Sequence, residues 1–291
     1  MSVAAWLVRQ AFDLDGVRTD QALRGLVPDT VSGEVDVPYG DGADERYDVW
    51  RSGEGRPLVF WVHGGGWIGG DKSHLRSYAK ILAARGFEVV LANYSLSPTA
   101  RYPVALRQVC RALEVALAGP PRPYVLAGDS AGAHLAVQVA ALATNPAHAA
   151  QVGVRPQVDR PAGTLLHCGI YAPSLGREAS GLGGLLVRTI ARSYLGTTDF
   201  DAPVFDEVDL LRQVTPDFPP TWISGGNADP LTEQGLAFAA RLAELGVPVT
   251  PVFYALDHQP PLMHEYQLKL ELPDARSAFE SSVAFLDDVT G

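Results

Sequence analysis

A chain of 291 residues, 47% hydrophobic and 19% charged, has enough apolar material to bury the core of one large domain. Its formal net charge of −10 argues against nucleic acid or an anionic membrane as partner, because both attract the opposite sign. Two cysteines, Cys110 and Cys168, make at most one pair and no disulfide framework, so both read as buried thiols packing as small hydrophobes.

The chain opens on Trp6, Leu7, Val8, Phe12 and Leu14, then Leu23 and Leu26, with charges between and Pro28 as a stop; one or two short amphipathic helices are predicted over residues 1 to about 28. The apolar patch Val3 to Val8 is too short to span a membrane and lacks a basic flank, which makes the cytoplasm the expected location. Polar and apolar residues alternate over Val31–Val37 and Arg46–Trp50 around the turn-rich Pro38–Gly42, the pattern of a β-hairpin. Leu58–Val62 is a continuous apolar run, which marks a strand buried on both faces of a parallel sheet.

Strand-like and helical patterns alternate from there on, as in successive β-α-β units. Leu75 to Leu82 predict a helix, Phe87–Ala92 a strand, Leu106 to Leu117 a helix, and Tyr124–Ala127 a strand. Thr164–Cys168 and Thr221–Ser224 are two further short strands, separated by an insertion over about 172 to 219 with no strand pattern. Within it Leu182, Leu185, Leu186 and Ile190 predict a helix whose apolar face must cover something. A helix (Leu231 to Leu245), a strand (Val247–Tyr254) and a closing helix (Phe279 to Leu286) complete an α/β chain.

The stretch that gives this alternation a purpose is Gly128-Asp129-Ser130-Ala131-Gly132. G-x-S-x-G between a strand and a helix is the pattern of a nucleophile elbow, a sharp turn that lifts a serine hydroxyl above the sheet. The plainer alternative is a glycine-rich connection whose serine caps the helix. A second glycine run, His63-Gly64-Gly65-Gly66-Trp67, directly follows the buried strand and leaves backbone N–H groups free to face a ligand. Acyl transfer needs such donors for the oxyanion of its tetrahedral intermediate, together with the N–H of the residue after the nucleophile, Ala131. Gly64, Gly66 and Gly69 also satisfy the dinucleotide fingerprint. That reading wants a helix opening within the motif and an acidic residue ending the next strand, where this chain has loop and Asn93.

With His63-Gly64-Gly65-Gly66, Gly128–Gly132 and Asp229-Pro230-Leu231, the chain resembles the hormone-sensitive-lipase family of α/β-hydrolases, particularly its bacterial esterase branch, over nearly its whole length. The resemblance implies a mostly parallel central sheet with helices on both faces, and a helical cap from residues 1–28 and 172–219. It implies oxyanion donors at Gly65, Gly66 and Ala131 and a supporting role for His63. Two departures stand out. The family's Tyr-Arg-Leu-Ala-Pro-Glu is here Tyr94-Ser95-Leu96-Ser97-Pro98-Thr99, and the usual second glycine after the elbow is Ala133.

A serine needs a neutral imidazole to take its proton and a carboxylate to hold the imidazolium, and in this fold the chain order is Ser, acid, His. Asp229, after the strand Thr221–Ser224 and just before a helix, is the expected acid. Position leaves both His258 and His264 open as the base; the resemblance of His264-Glu265-Tyr266 to the branch's motif selects His264. His74, His134, His148 and His167 precede the acid and read as structural or exposed, and no Cys/His cluster suggests a metal. The expectation is a cofactor-free serine hydrolase acting on small-molecule esters of short to medium acyl chain, with a homodimer as the family-level assembly. Amide, formamide or lactone hydrolysis by the same groups is the alternative, and a non-catalytic small-molecule receptor on this scaffold the remoter one.

Overall fold

The structure is a computed structural model describing residues 1–291. In chain order it comprises α1 (Val3–Leu23), β1 (Ser32–Pro38), β2 (Arg46–Arg51), β3 (Leu58–Val62), α2 (Arg76–Ala83), β4 (Glu88–Ala92), α3 (Val104–Ala116), β5 (Tyr124–Asp129) and α4 (Ala131–Thr144). Then come α5 (Pro146–Val152), β6 (Gly163–His167), α6 (Gly181–Tyr194), α7 (Pro203–Val208), α8 (Leu210–Gln213), β7 (Thr221–Gly225), α9 (Thr232–Glu244), β8 (Val249–Phe253) and α10 (Pro273–Thr290).

The eight strands form one sheet in the order β1-β2-β4-β3-β5-β6-β7-β8. β2 runs antiparallel to both β1 and β4, and every later pairing is parallel. Parallel strands need crossovers, and the helices that supply them cover both faces, which is why the central strands are buried at every position. In β3, Leu58, Phe60 and Val62 enter one core layer with α3, α4 and α9, while Val59 and Trp61 enter the other with α2 and α10. β5 divides likewise, Tyr124 and Leu126 against Val125 and Ala127. The two-residue period of a strand thus feeds two cores from one sheet.

Three local features differ from the sequence reading. The N-terminal segment is a single helix of 21 residues, opened by the Ser2 side chain accepting from the Ala5 N–H at 3.2 Å, and a short 3₁₀ turn at Arg24–Leu26 follows it. The 172–219 segment folds into α6, α7 and α8 after a 3₁₀ turn at Pro173–Glu178. In α6 Leu182 and Leu185 lie mostly in solvent, so the outer part of the predicted apolar face covers nothing. Ile190 does: it and Phe12 of α1 both approach Gly66. α5 carried no pattern in the reading above, yet Asn145 opens it by accepting from the N–H groups of Ala147 and His148, both at 3.1 Å, with Pro146 in its first turn. No helix is long and apolar enough to cross a membrane.

Candidate active site

Ser130 sits at the carboxyl end of β5 with φ 51° and ψ −118°, a conformation that a non-glycine residue rarely adopts. Its surroundings hold it there. The Ser130 N–H donates to the His167 carbonyl at 2.9 Å, and α4 begins at the next residue. The turn is so tight that a Cβ on Gly128 would lie 2.5 Å from the Gly132 carbonyl carbon, and one on Gly132 would strike the Val62 and His63 carbonyls. Both glycines are therefore sterically required.

The loop after β7 supplies Asp229, and the loop after β8 supplies His264. His264 Nδ1 lies 2.9 Å from Asp229 Oδ2, and its Nε2 lies 3.0 Å from Ser130 Oγ. The three residues come from positions 99 and 35 residues apart along the chain (229 − 130 and 264 − 229) and meet in one line of hydrogen bonds. Since Asp229 accepts, Nδ1 carries the proton and Nε2 is left to receive one. Asp229 is fixed in turn, with its Oδ1 accepting from the Leu231 N–H at 2.8 Å. His258 lies elsewhere: its Nε2 is 3.3 Å from an Asp274 carboxylate oxygen, and its ring packs on Tyr254.

Burial alone would favour the neutral ring of His264, but the adjoining Cys168 sulfur, the Asp229 hydrogen bond and the Glu265 carboxylate outweigh it and raise its pKa well above the ordinary value. Burial pushes the Cys168 thiol itself up to about 11. Cys168, Asp229 and His264 place their donor atoms within 4.8 Å of one another. With the thiol protonated and the Asp229–His264 pair satisfied by its own hydrogen bond, the arrangement suits proton transfer better than metal ligation.

The glycine loop faces this line. Gly65 and Gly66 have φ of 104° and 58°, and no acceptor within the chain takes the N–H of Gly65, Gly66 or Ala131. Three neighbours fix the loop. Gly64 N–H donates to Asp129 Oδ2 at 2.8 Å, while Trp61 Nε1 donates to the other oxygen of the same carboxylate, also at 2.8 Å. Tyr94 Oη donates to the His63 carbonyl at 3.0 Å and stacks on the His63 ring, whose Nδ1 contacts the Gly64 carbonyl at 2.8 Å. Ser97 Oγ donates to the Trp67 carbonyl at 2.8 Å. Two of the positions in Tyr94–Thr99, the stretch that departs from the family pattern, thus brace the loop from outside. Buried, the His63 ring has its pKa lowered to about 4 and is neutral in this supporting position.

Asp129 and Glu265 stand in the motifs read from the sequence but were given no role there. Asp129 is the variable residue of the elbow, and its carboxylate is 3% exposed. Burial and then the charge of Glu265 push its pKa up, to about 7, against the two donated hydrogen bonds. A carboxylate closing a buried strand beside two glycines was the available signal.

A cavity of about 660 Å³ opens over Ser130 and His264, with walls from α1, α6, the glycine loop and the Glu265 loop. α1 is fastened to the glycine loop: Arg9 Nε donates to the Ile68 carbonyl at 2.5 Å, and the Gly70 N–H donates to Asp13 at 2.8 Å.

This fold, with a serine on a strained elbow facing a glycine loop, defines an α/β-hydrolase. Residues 59–259 match the alpha/beta hydrolase fold family, and the chain belongs to its hormone-sensitive-lipase-like members. It is 27% identical to esterase LipQ of Mycobacterium tuberculosis over 84% of this chain and 57% of that protein, so it spans under two thirds of that relative's length. It is 30% identical to an acetyl-hydrolase of Streptomyces hygroscopicus over 82% of this chain and 77% of that protein. Among solved structures, esterase B of Lactobacillus rhamnosis superposes with a TM-score of 0.85 over 99% of this chain and 95% of its own, at 24% identity.

Proposed function

We propose that the protein is a carboxylesterase that cleaves esters of small to medium acyl chain through an acyl-enzyme. The observation that carries this reading is the unbroken line from Asp229 through His264 to Ser130 Oγ, with bonds of 2.9 and 3.0 Å. Ser130 Oγ attacks the ester carbonyl while His264 Nε2 takes its proton, and Asp229 holds the resulting imidazolium. The N–H groups of Gly65, Gly66 and Ala131 receive the oxyanion. His264 then returns the proton to the leaving alcohol, and water, activated at the same nitrogen, releases the acid and regenerates Ser130.

Relatives named as an esterase and an acetyl-hydrolase support the choice of ester bond. A solved structure similar to this chain is described as esterase B inhibited by a tributyrin phosphonate, the chemistry that traps a serine during acyl transfer. In this reading α1 and α6, meeting over Gly66, act as the cap of a single domain and bound a cavity sized for modest acyl chains. Two free, buried thiols fit a cytoplasmic setting, and light scattering tests the homodimer that the resemblance implies.

Release of p-nitrophenol from acetate, butyrate and octanoate esters tests the reading. Wild type should turn over, with Ser130→Ala and His264→Ala near background and His258→Ala active. An inert wild type, or a Ser130→Ala variant with undiminished turnover, would refute it.

A further inference from the structure

Glu265 follows His264 directly and occupies a position the mechanism leaves unused. Its backbone is left-handed, with φ 59°, which turns its side chain back along the histidine and into the cavity. The carboxylate lies 3.9 Å from His264 Nε2, the one ion-pairing nitrogen within reach, and its side chain is 22% exposed. Lys269 acts on it as a positive charge but does not line the cavity.

The proton that leaves Nε2 goes to the departing alcohol oxygen, so the alcohol half of an ester must lie beside that nitrogen. It therefore lies beside Glu265. On the α1 side of this space Asp15 lines the same cavity and also faces Glu265 electrostatically. No lysine or arginine is among the lining residues. The same cavity is also lined by apolar groups such as Ile190, Leu195, Phe205 and Val208, which suit an acyl chain.

We infer that Glu265 selects esters whose alcohol half carries a cationic amine, so that the substrate class is amino-alcohol esters with a modest apolar acyl chain. The inference rests on the esterase reading above and narrows it. A positive group two carbons beyond the ester oxygen meets Glu265 at the edge of the site, where water is partly excluded and the attraction is screened less than at an open surface. An anionic alcohol half meets the same carboxylate and is rejected.

The test compares butyrylcholine with 3,3-dimethylbutyl butyrate, in which a carbon replaces the quaternary nitrogen at nearly the same shape, at pH 8 and low salt, with p-nitrophenyl butyrate as the control for turnover. Wild type should favour the choline ester in kcat/KM by about fivefold or more, and added salt should erode that preference. Glu265→Gln should bring the ratio toward parity, and because a ratio is read, any general loss of rate cancels. Asp15→Asn, at the α1 wall of the cavity, should lower it part of the way. A wild-type ratio at or below one, or a ratio unchanged by both Glu265→Gln and salt, would overturn the inference while leaving the esterase reading intact. If Glu265→Gln fails to fold, the salt titration of wild type and Asp15→Asn still decide it. An enzyme inert on p-nitrophenyl butyrate and on both esters would fail at the esterase reading itself.

Discussion

At the scale of single residues, the state of His264 governs the proposed chemistry. The ring must be neutral to accept the Ser130 proton, and Cys168 with the neighbouring Asp229 and Glu265 carboxylates raises its pKa above the ordinary value of about 6.5. A raised base pKa moves the acid limb of kcat/KM upward, so activity should climb with pH beyond 6.5 and fall below it. Glu265→Gln should move that limb to lower pH, because it removes one charge that favours the imidazolium. A pH-rate profile of the two proteins checks both statements; a limb at or below 6 in wild type would contradict them. Asp229→Asn should cost roughly 10⁴-fold in kcat with little change in fold, since it permits the wrong tautomer at Nδ1. Ser130 and Asp229 were legible in the sequence because each is tied to a short motif beside a strand end. His264 was not legible from position alone, because His258 follows the same strand; what separates them is where a proline-containing loop turns back. Glu265 escaped notice because its importance comes from a backbone angle that no residue pattern announces.

Among the elements, the glycine loop depends on a contact between two chain-distant pieces, β3 with its following loop and the end of β5. The Asp129 carboxylate accepts from Gly64 on one oxygen and from Trp61 on the other. An asparagine there has one acceptor and one N–H₂, so one of the two donors would face another donor. Asp129→Asn should lower stability by about 1–3 kcal/mol and reduce kcat by about 10-fold or more as the oxyanion donors lose their support. Chemical denaturation and p-nitrophenyl butyrate kinetics on the same variant measure the two effects. The β1-β2 hairpin has a comparable anchor. Asp48, fully buried, lies 2.8 Å from Lys72 Nζ and 2.6 Å from Arg76 Nε, with Asp36 2.5 Å from the same lysine. Asp48→Ala leaves the buried Lys72 ammonium with the exposed Asp36 alone and should cost about 2–3 kcal/mol, read as a shift in the denaturation midpoint. The hairpin itself was readable from its alternation, and β3 and β5 from their unbroken apolar runs. α5, α7 and α8 were not, because helices of seven, six and four residues are too short for a 3.6-residue period to stand out.

Over the whole molecule, acid should be the destabilising direction. His63, His134, His148 and His167 are buried with their pKa lowered to about 4, 4, 4 and 3, in each case chiefly by desolvation. A depressed folded-state pKa means that the unfolded chain binds more protons below about 6.5, so stability is full above that pH and is lost as pH falls toward 4. Asp129, Asp209 and Glu265 have the opposite sign, because a carboxylate pKa raised by burial contributes stability that fades as pH rises through it, for Asp129 toward 7. Four histidines against three carboxylates give a Tm that falls between pH 6.5 and 4, measurable by calorimetry; a flat Tm over that range would contradict the assigned burial. Sequence pattern identified β3 as a strand buried on both faces of a parallel sheet because Leu58–Val62 is apolar throughout, and the family resemblance supplied the helices on both faces. The pattern did not reveal how far α1 reaches over the glycine loop, since the Arg9 and Asp13 contacts that fasten it end on backbone atoms 59 and 57 residues away.

The most direct measurement of the central claim is intact-mass and peptide analysis after exposure to a p-nitrophenyl alkylphosphonate, which traps an activated serine as a stable adduct. The account predicts one adduct per chain, mapped to Ser130, with none on Ser130→Ala and a rate at least 100-fold lower on His264→Ala. An unmodified wild type, or an adduct that persists in Ser130→Ala, would contradict it.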